Sequence, residues 1–409
     1  MRLLTVALIG AGLILAAVIA LAVASGWLGG GSTEPAPASP RGSPSPVAEG
    51  PTPTASAPTP AGVTPVPEPA GELALLYSQF GETEDTLWLA PASRLQEPQA
   101  IATIAHAPFW GVSASLSPDG RWVAYTALPP NFPNPEEGSS AEAEVWLLPS
   151  SGGEPQLLAQ GADVRLAPIW SPDSGALMVQ SIDRQRNSYT LFSVNLADKV
   201  SSPLLSMEDV ASMLPLAYAP TGDSFYVAQV GEEGTDIFAV SVADTSRREI
   251  ATVDGVARDW QLSPDGERVT FVNQTGEGEW ELWVLDLEDG SQFRLEAEGL
   301  PTDRELFSPV WRAGQELITL GIAPVDGGTG VLNVSLSGGA AEQLPGPEQG
   351  FDVPLAWSPQ GDLLAIQEFS EYPVQRRPSL YALTATAERQ PLADEAEVTF
   401  IGWLAGNEQ

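Results

Sequence analysis

Cysteine is absent from this chain, and histidine and lysine occur once each, as His106 and Lys199. Without cysteine there is no disulfide framework, no thiolate metal site and no lipid-modified cysteine, so stability has to come from a packed core. Cations are scarce altogether: 18 Lys and Arg stand against 53 Asp and Glu, a formal charge of −35. A surface that acidic does not neutralise phosphate, which excludes nucleic acid and anionic lipid as partners of the body of the protein. Self-repulsion of this size favours a soluble monomer.

Catalytic parts are missing too. A His-dependent triad would have to use His106, which reads as a surface-loop histidine, and no Gly-x-Ser-x-Gly elbow accompanies it. There is no His-Glu-x-x-His, no Gly-x-x-x-x-Gly-Lys and no Asp-x-Asp-x-Asp-Gly loop, so neither a metal nor another cofactor is expected. Motif reading does not dismiss a pair of carboxylates converging from distant segments. A glycoside hydrolase or lyase with such a pair about 5 to 9.5 Å apart is the enzymatic alternative.

The first seventy residues differ from the rest. Leu3 to Val23 is apolar apart from Gly and Thr, and as a helix it spans about 30 Å, the thickness of a bilayer core. Residues 1–28 are therefore expected to be a transmembrane signal anchor. The competing reading is a cleaved signal peptide, with Ala22 and Ala24 forming a small-x-small site before Ser25. Either way the remainder is exported, because the positive charge lies before the apolar run. Residues 29–70 are Pro, Ala, Ser, Thr, Gly and Glu almost throughout. Such a segment cannot bury enough apolar surface to order itself and acts as a polyproline-rich stalk with a reach of roughly 100 Å.

From residue 71 to 409 the chain repeats. Leu116-Ser-Pro-Asp-Gly120, Trp170-Ser-Pro-Asp-Ser174, Tyr218-Ala-Pro-Thr-Gly222, Leu262-Ser-Pro-Asp-Gly266, Trp311-Arg-Ala-Gly-Gln315, Trp357-Ser-Pro-Gln-Gly361 and Trp403-Leu-Ala-Gly-Asn407 form one column. Successive anchors are 54, 48, 44, 49, 46 and 46 residues apart. Pro presets φ for a tight turn and Gly accepts the exit conformation. After most turns comes a β-rich run such as Trp122 to Thr126, then a second run with a central aromatic such as Val145-Trp-Leu147, then a polar turn and a short fourth run. Four strands per period is the unit of a propeller blade.

The ends complement each other. Leu73 to Tyr77 and Leu87-Trp-Leu89 match a second and a third strand with no turn column before them, while Val398 to Trp403 matches an inner strand with nothing after it. The fold expected is all-β, a seven-bladed propeller closed by the C-terminal strand completing the N-terminal blade, which leaves no free sheet edge.

The run Leu262-Ser-Pro-Asp-Gly-x-x-Val-x-Phe271, followed by Leu282-Trp-Val-Leu285, resembles the WD40-like repeats of TolB-type propellers, as do Trp170-Ser-Pro-Asp and Trp357-Ser-Pro-Gln. The resemblance covers roughly residues 71 to 409. It implies a periplasmic or cell-surface binding scaffold, although the separate α/β domain of TolB is missing. Prolyl peptidases carry a comparable propeller, but their hydrolase domain finds no room after Gln409 or before Glu72. The expectation is thus a non-enzyme that binds a protein, glycan or small molecule; a purely structural spacer is a third reading.

In an up-and-down blade the second-to-third and fourth-to-first connections share one face. Leu128 to Glu144, Ile182 to Tyr189 and Phe369 to Ser379 make that face the longer and more varied one, which suits binding. Trp110, Arg165, Arg258, Asp259, Arg304 and Asp352 fall where the inner strands enter the channel from it, and Arg184, Arg186, Arg376 and Arg377 fall on its longer loops. These ten are the candidate ligand-binding residues. The arginines suit a carboxylate or phosphate, or else pair with neighbouring acids on a solvated rim.

Overall fold

A computed structural model describes residues 72–405, except 133–141, 184–185, 187, 209, 232–233, 373–378, 385–387 and 394–396. The expected anchor and stalk lie outside the described residues. Among the described residues no helix is long and apolar enough to cross a membrane.

Seven antiparallel sheets form the body. Blade 1 takes its inner strand, Val398–Leu404, from the C-terminal end and its other three, Ala74–Gln79, Glu84–Pro91 and Gln99–Ala105, from the N-terminal end. The inner strands of blades 2 to 7 are Val112–Leu116, Ile169–Trp170, Ser212–Tyr218, Val256–Leu262, Leu306–Trp311 and Gly350–Trp357. The seam has the expected register, with Trp403 opposite Leu75 and Val398 opposite Gln79. One strand goes beyond the four-per-blade rule. Gly328–Thr329, in the second-to-third connection of blade 6, pairs in parallel with Gly350 and Phe351 and makes blade 7 five-stranded.

The turn column is held by its own side chains. In blade 2 the Ser117 hydroxyl donates to Asp119 Oδ1 at 2.6 Å and accepts the Trp122 amide at 2.9 Å. Ser171 with Asp173 and Ser263 with Asp265 repeat the arrangement. Gly266 takes φ 73°, and a Cβ there would lie 2.1 Å from Cγ of Pro220 in the neighbouring turn. The anchor aromatics then link blades: the indoles of Trp170, Trp311 and Trp403 donate to the carbonyls of Ser115, Gln261 and Ala356 on the preceding inner strands.

Both faces of each blade are covered, so adjacent residues such as Leu75 and Leu76 are both fully buried. Apolar clusters fill the interfaces around the ring, for example Val145 with Val179 between blades 2 and 3, and Leu75 with Leu380 between blades 1 and 7. The aromatics of the third-strand column, Trp146, Trp283 and Tyr381, flank these clusters and are only partly buried. The Trp146 and Trp283 indoles donate to the glutamate two residues earlier.

Candidate functional site

The face carrying the fourth-to-first and second-to-third connections is densest in chemistry at blades 5 to 7. Arg258, near the start of the blade 5 inner strand, is 3% exposed. It donates to Asp259 at 2.5 Å, Glu305 at 2.7 Å and the Leu306 carbonyl at 2.8 Å. Its guanidinium lies 4.7 Å from the Trp280 ring centroid and 5.5 Å from that of Phe307. A buried cation needs this kind of enclosure, with opposite charges, a carbonyl and aromatic faces around it.

Two strained backbone positions belong to the group. Asp259 and Ser308 have φ of 57° and 42°, at bulges in the inner strands of blades 5 and 6. Such conformations cost on the order of 1–3 kcal/mol each for residues other than glycine. The Asp259 carboxylate accepts the Ser308 amide at 3.0 Å, so the two bulges lock together.

Beside the ion pair stands an aromatic shelf. Tyr372, in the second-to-third connection of blade 7, is 44% exposed and donates its hydroxyl to the second oxygen of Glu305 at 2.5 Å. Its ring meets Phe307 and Phe351 edge-on at 6.3 and 6.0 Å, and Phe351 stacks on Phe369 at 5.2 Å. Burial, then the bond to Glu305 and its charge, push the Tyr372 phenol up to about 12, so it remains a donor at neutral pH.

The remaining candidates are distributed around the ring. Arg165 donates to both oxygens of Asp163, at 2.9 and 2.6 Å, and that bond holds its pKa above the ordinary range despite burial. Arg186 is exposed and pairs with Asp183 at 3.6 Å. Arg304 donates to the Ala323 carbonyl, and burial lowers its pKa. Asp352 is fully buried and accepts Arg389 at 2.7 and 3.0 Å, while Arg389 also reaches Glu368. Burial raises the Asp352 carboxyl against the pull of Arg389. Trp110 is half-buried and packs on the cluster containing Ala107 and Leu128. Arg184, Arg376 and Arg377 lie outside the described residues. Among the described candidates only Arg258 and Asp259 meet one another directly, and Arg165, Arg186 and Arg304 each already have a carboxylate or carbonyl.

Sequence reasoning missed Glu305, Phe307, Phe351 and Tyr372. One signal was available. Val112, Leu166, Leu214, Arg258, Phe307, Val353 and Thr399 each lie four positions before their turn anchor, and Arg258 is the one charge in that column.

His106 requires a correction. It is not a surface residue but 0% exposed, with Nε2 3.0 Å from Asp85 Oδ1 and Nδ1 2.9 Å from the Ala107 carbonyl oxygen. The segment around it is pinned to blade 1, with the His106 and Phe109 amides donating to the Thr83 and Glu82 carbonyls.

Exposed apolar groups favour this face. Phe109, Val256, Val325 and Tyr372 lie on it and are 60%, 39%, 72% and 44% exposed. Among the described residues of this face several exposed carboxylates surround them, Glu277, Glu279, Asp303, Asp326 and Glu348. No group of three or more potential metal ligands occurs among the described residues.

These features define a closed seven-bladed propeller with an acidic, aromatic mouth. No family model matches the chain. Among solved structures it is similar to the β-propeller domain of the Trilobed protease from Pyrococcus furiosus, with 13% identity, 80% of this chain and 93% of that chain covered, and a TM-score of 0.54. It is similar to the acylaminoacyl peptidase of Pyrococcus horikoshii at 13% identity, covering 79% and 51%, with a TM-score of 0.55. TolB from Acinetobacter baumannii follows at 14% identity, 83% and 67% coverage and a TM-score of 0.48. These likenesses concern the fold.

In sequence the chain is 23% identical over 205 residues to a probable dipeptidyl-peptidase 5 of Aspergillus clavatus, covering 46% of this chain and 27% of the relative. The chain thus matches about a quarter of that relative's length. The match corrects the expectation of a non-enzyme. A peptidase shares sequence with this chain, and peptidases carry the same propeller, so missing triad parts among these residues do not set the chain apart from that class.

Proposed function

We propose that the chain is an extracytoplasmic, membrane-tethered recognition propeller whose acidic, aromatic mouth takes up peptide or protein segments carrying a cation next to an aromatic or aliphatic side chain. The observation that carries this reading is Tyr372, 44% exposed, backed by the buried rings of Phe307 and Phe351 and anchored through Glu305, on the face that also exposes Phe109, Val256 and Val325. Exposed aromatics held rigidly on a scaffold are the groups that act as interface anchors. The carboxylate rim attracts cationic segments and steers their approach. The partial match to a dipeptidyl-peptidase supports peptide as the ligand class, with the propeller selecting segments in a peptidase context.

Fluorescence anisotropy of labelled peptides with the full chain tests this. A Lys/Arg-rich peptide containing Phe should bind, weaken as salt is raised, and lose roughly tenfold or more in affinity when Tyr372→Ala and Phe109→Ala are combined. Equal binding of a Glu-rich peptide, or affinity unchanged by the double substitution, refutes the reading.

A further inference from the structure

The pair His106 and Asp85 takes no part in the reading above, yet its geometry fixes a protonation state. Asp85 accepts the Gly81 amide on Oδ1 at 3.1 Å and the Val112 amide on Oδ2 at 2.9 Å, so both of its oxygens act as acceptors. The imidazole Nε2 that faces Oδ1 must therefore be the donor. Nδ1 faces the Ala107 carbonyl, which can only accept, so it has to be a donor as well. An imidazole with two donor nitrogens is an imidazolium. A neutral ring in this site would set a lone pair against an oxygen at 2.9 or 3.0 Å, with no solvent to intervene.

The surroundings agree. The charged group facing the ring is Asp85, and the exposed Glu84 before it on the third strand of blade 1 acts on the ring through its charge alone. The loop before that strand contributes the Phe80 ring, stacked at 6.0 Å, and the Thr83 carbonyl; the end of the second strand of blade 2 contributes the Leu128 carbonyl, which accepts the Ala107 amide. Burial disfavours the charge, but the bonds to Asp85 and Ala107 outweigh it and the net shift is upward from the ordinary value near 6.5. A folded-state value above the unfolded one stabilises fully below about 6.5 and is lost as pH rises through the folded value.

We infer that the chain's single histidine is a proton-held latch: as imidazolium it clamps the crossover 106–112 onto blade 1, and losing its proton loosens that crossover, which displays Phe109 and Trp110 on the candidate face. Three features make the crossover responsive. Phe109 has φ 69° with a 60% exposed side chain, so it returns to an ordinary conformation when released. Gly111 has φ 63°, and a Cβ on it would come within 3.1 Å of Phe80 and 3.3 Å of Asp85 Oδ2, so the chain is pressed against the latch itself. The Val112 amide that Asp85 accepts opens the blade 2 inner strand. A display surface that is firm in mildly acidic conditions and loose in alkaline ones follows.

One histidine gives one signal. In the full chain carrying 13C-labelled histidine, the Cε1–H resonance is followed from about pH 5 to 9.5, and hydrogen exchange is measured in parallel at the Phe109 and Val112 amides after correction for intrinsic rates. The expected result is a midpoint above 6.5 and protection that falls roughly threefold to tenfold with that same midpoint. Asp85→Asn should bring the midpoint below 6.5, since burial then acts with one acceptor fewer. A wild-type midpoint at or below 6.5 overturns the latch, and so does protection that stays flat through the titration. Both wild-type readings need no partner, so their failure leaves the peptide-binding reading standing, and failed peptide binding leaves the latch standing.

Discussion

Trp403→Ala tests the seam directly. Trp403 lies opposite Leu75 across the strand pair that joins the two ends of the described chain, is 9% exposed, and packs with Leu75, Tyr77 and Leu380. Its indole donates to the Ala356 carbonyl at 3.1 Å, and its ring meets Phe400 edge-on at 6.3 Å. Truncating a buried tryptophan costs about 3–5 kcal/mol in transfer and cavity terms. Trp311 is the internal control. It holds the same column position and donates to Gln261 at the same 3.1 Å, but it is only half-buried and lies inside the chain rather than at the seam. Its removal should cost about 1–2 kcal/mol, the lost bond plus roughly half of a buried side chain's transfer energy. Urea unfolding of the full chain followed by circular dichroism measures both. Hydrogen exchange in residues 74–79 should rise in Trp403→Ala and stay unchanged in Trp311→Ala, because only the former opens an edge of blade 1. Equal costs for the two variants, or unchanged exchange in 74–79, would show that the seam does not carry the closure.

Three further substitutions bear on the turn column. Gly266→Ala and Gly314→Ala both place a Cβ at φ near 70°, and should share a cost of about 1–2 kcal/mol; Gly266→Ala should add roughly 1–3 kcal/mol because Pro220 occupies the space, whereas nothing lies within 4 Å of Gly314. Thermal or urea unfolding decides this, and equal costs would mean that neighbouring turns do not press on each other. Ser263→Ala removes the hydroxyl that bonds Asp265 and accepts the Arg268 amide, at a cost of about 1–3 kcal/mol at pH 7. That hydroxyl is also the main cause of the lowered Asp265 pKa, a contribution present above the unfolded value and lost as pH falls through the folded one, so the gap between variant and wild type should narrow below about pH 4.

The fold was legible because its determinants are local and repeated. Ser-Pro-Asp-Gly specifies a turn within four residues, and seven turns at a nearly constant spacing leave little choice of architecture. The closure was legible because unmatched strands at the two ends supply what each other lacks. The strand Gly328–Thr329 was not, since two residues of a glycine-rich connection carry no alternation, and their pairing with Gly350 and Phe351 depends on how two loops meet. The mouth was half-legible. Arg258 and Asp259 stood out as charges near an inner strand, but Glu305 lies 47 residues beyond Arg258 and Tyr372 lies 67 beyond Glu305, so their meeting is set by the radius of the ring and the lengths of irregular connections. His106 was misread for the same reason. The Ala-His-Ala-Pro segment looks like a loop, and nothing local announces that Asp85, 21 residues earlier, will be buried against it.

The composition and the mouth are linked by what happens to the few cations. Arg165, Arg258, Arg294 and Arg389 are held by carboxylates, Arg304 by a carbonyl, and Arg312 by the Gly361 carbonyl and the Trp357 ring at 4.2 Å. A chain with 18 cations against 53 acidic residues that already commits several of those cations to its own carboxylates and carbonyls has few left to offer a ligand. At the mouth this becomes specific. Arg258 is enclosed by Asp259, Glu305 and two rings and presents no charge outward, while Tyr372 and the rim acids do face solvent. To reach Arg258 an anionic ligand would have to break a buried pair, and breaking such a pair by removing one partner costs about 3–5 kcal/mol. On the proposed reading, a cation beside a ring would meet the exposed Tyr372 and the described rim acids without breaking that pair.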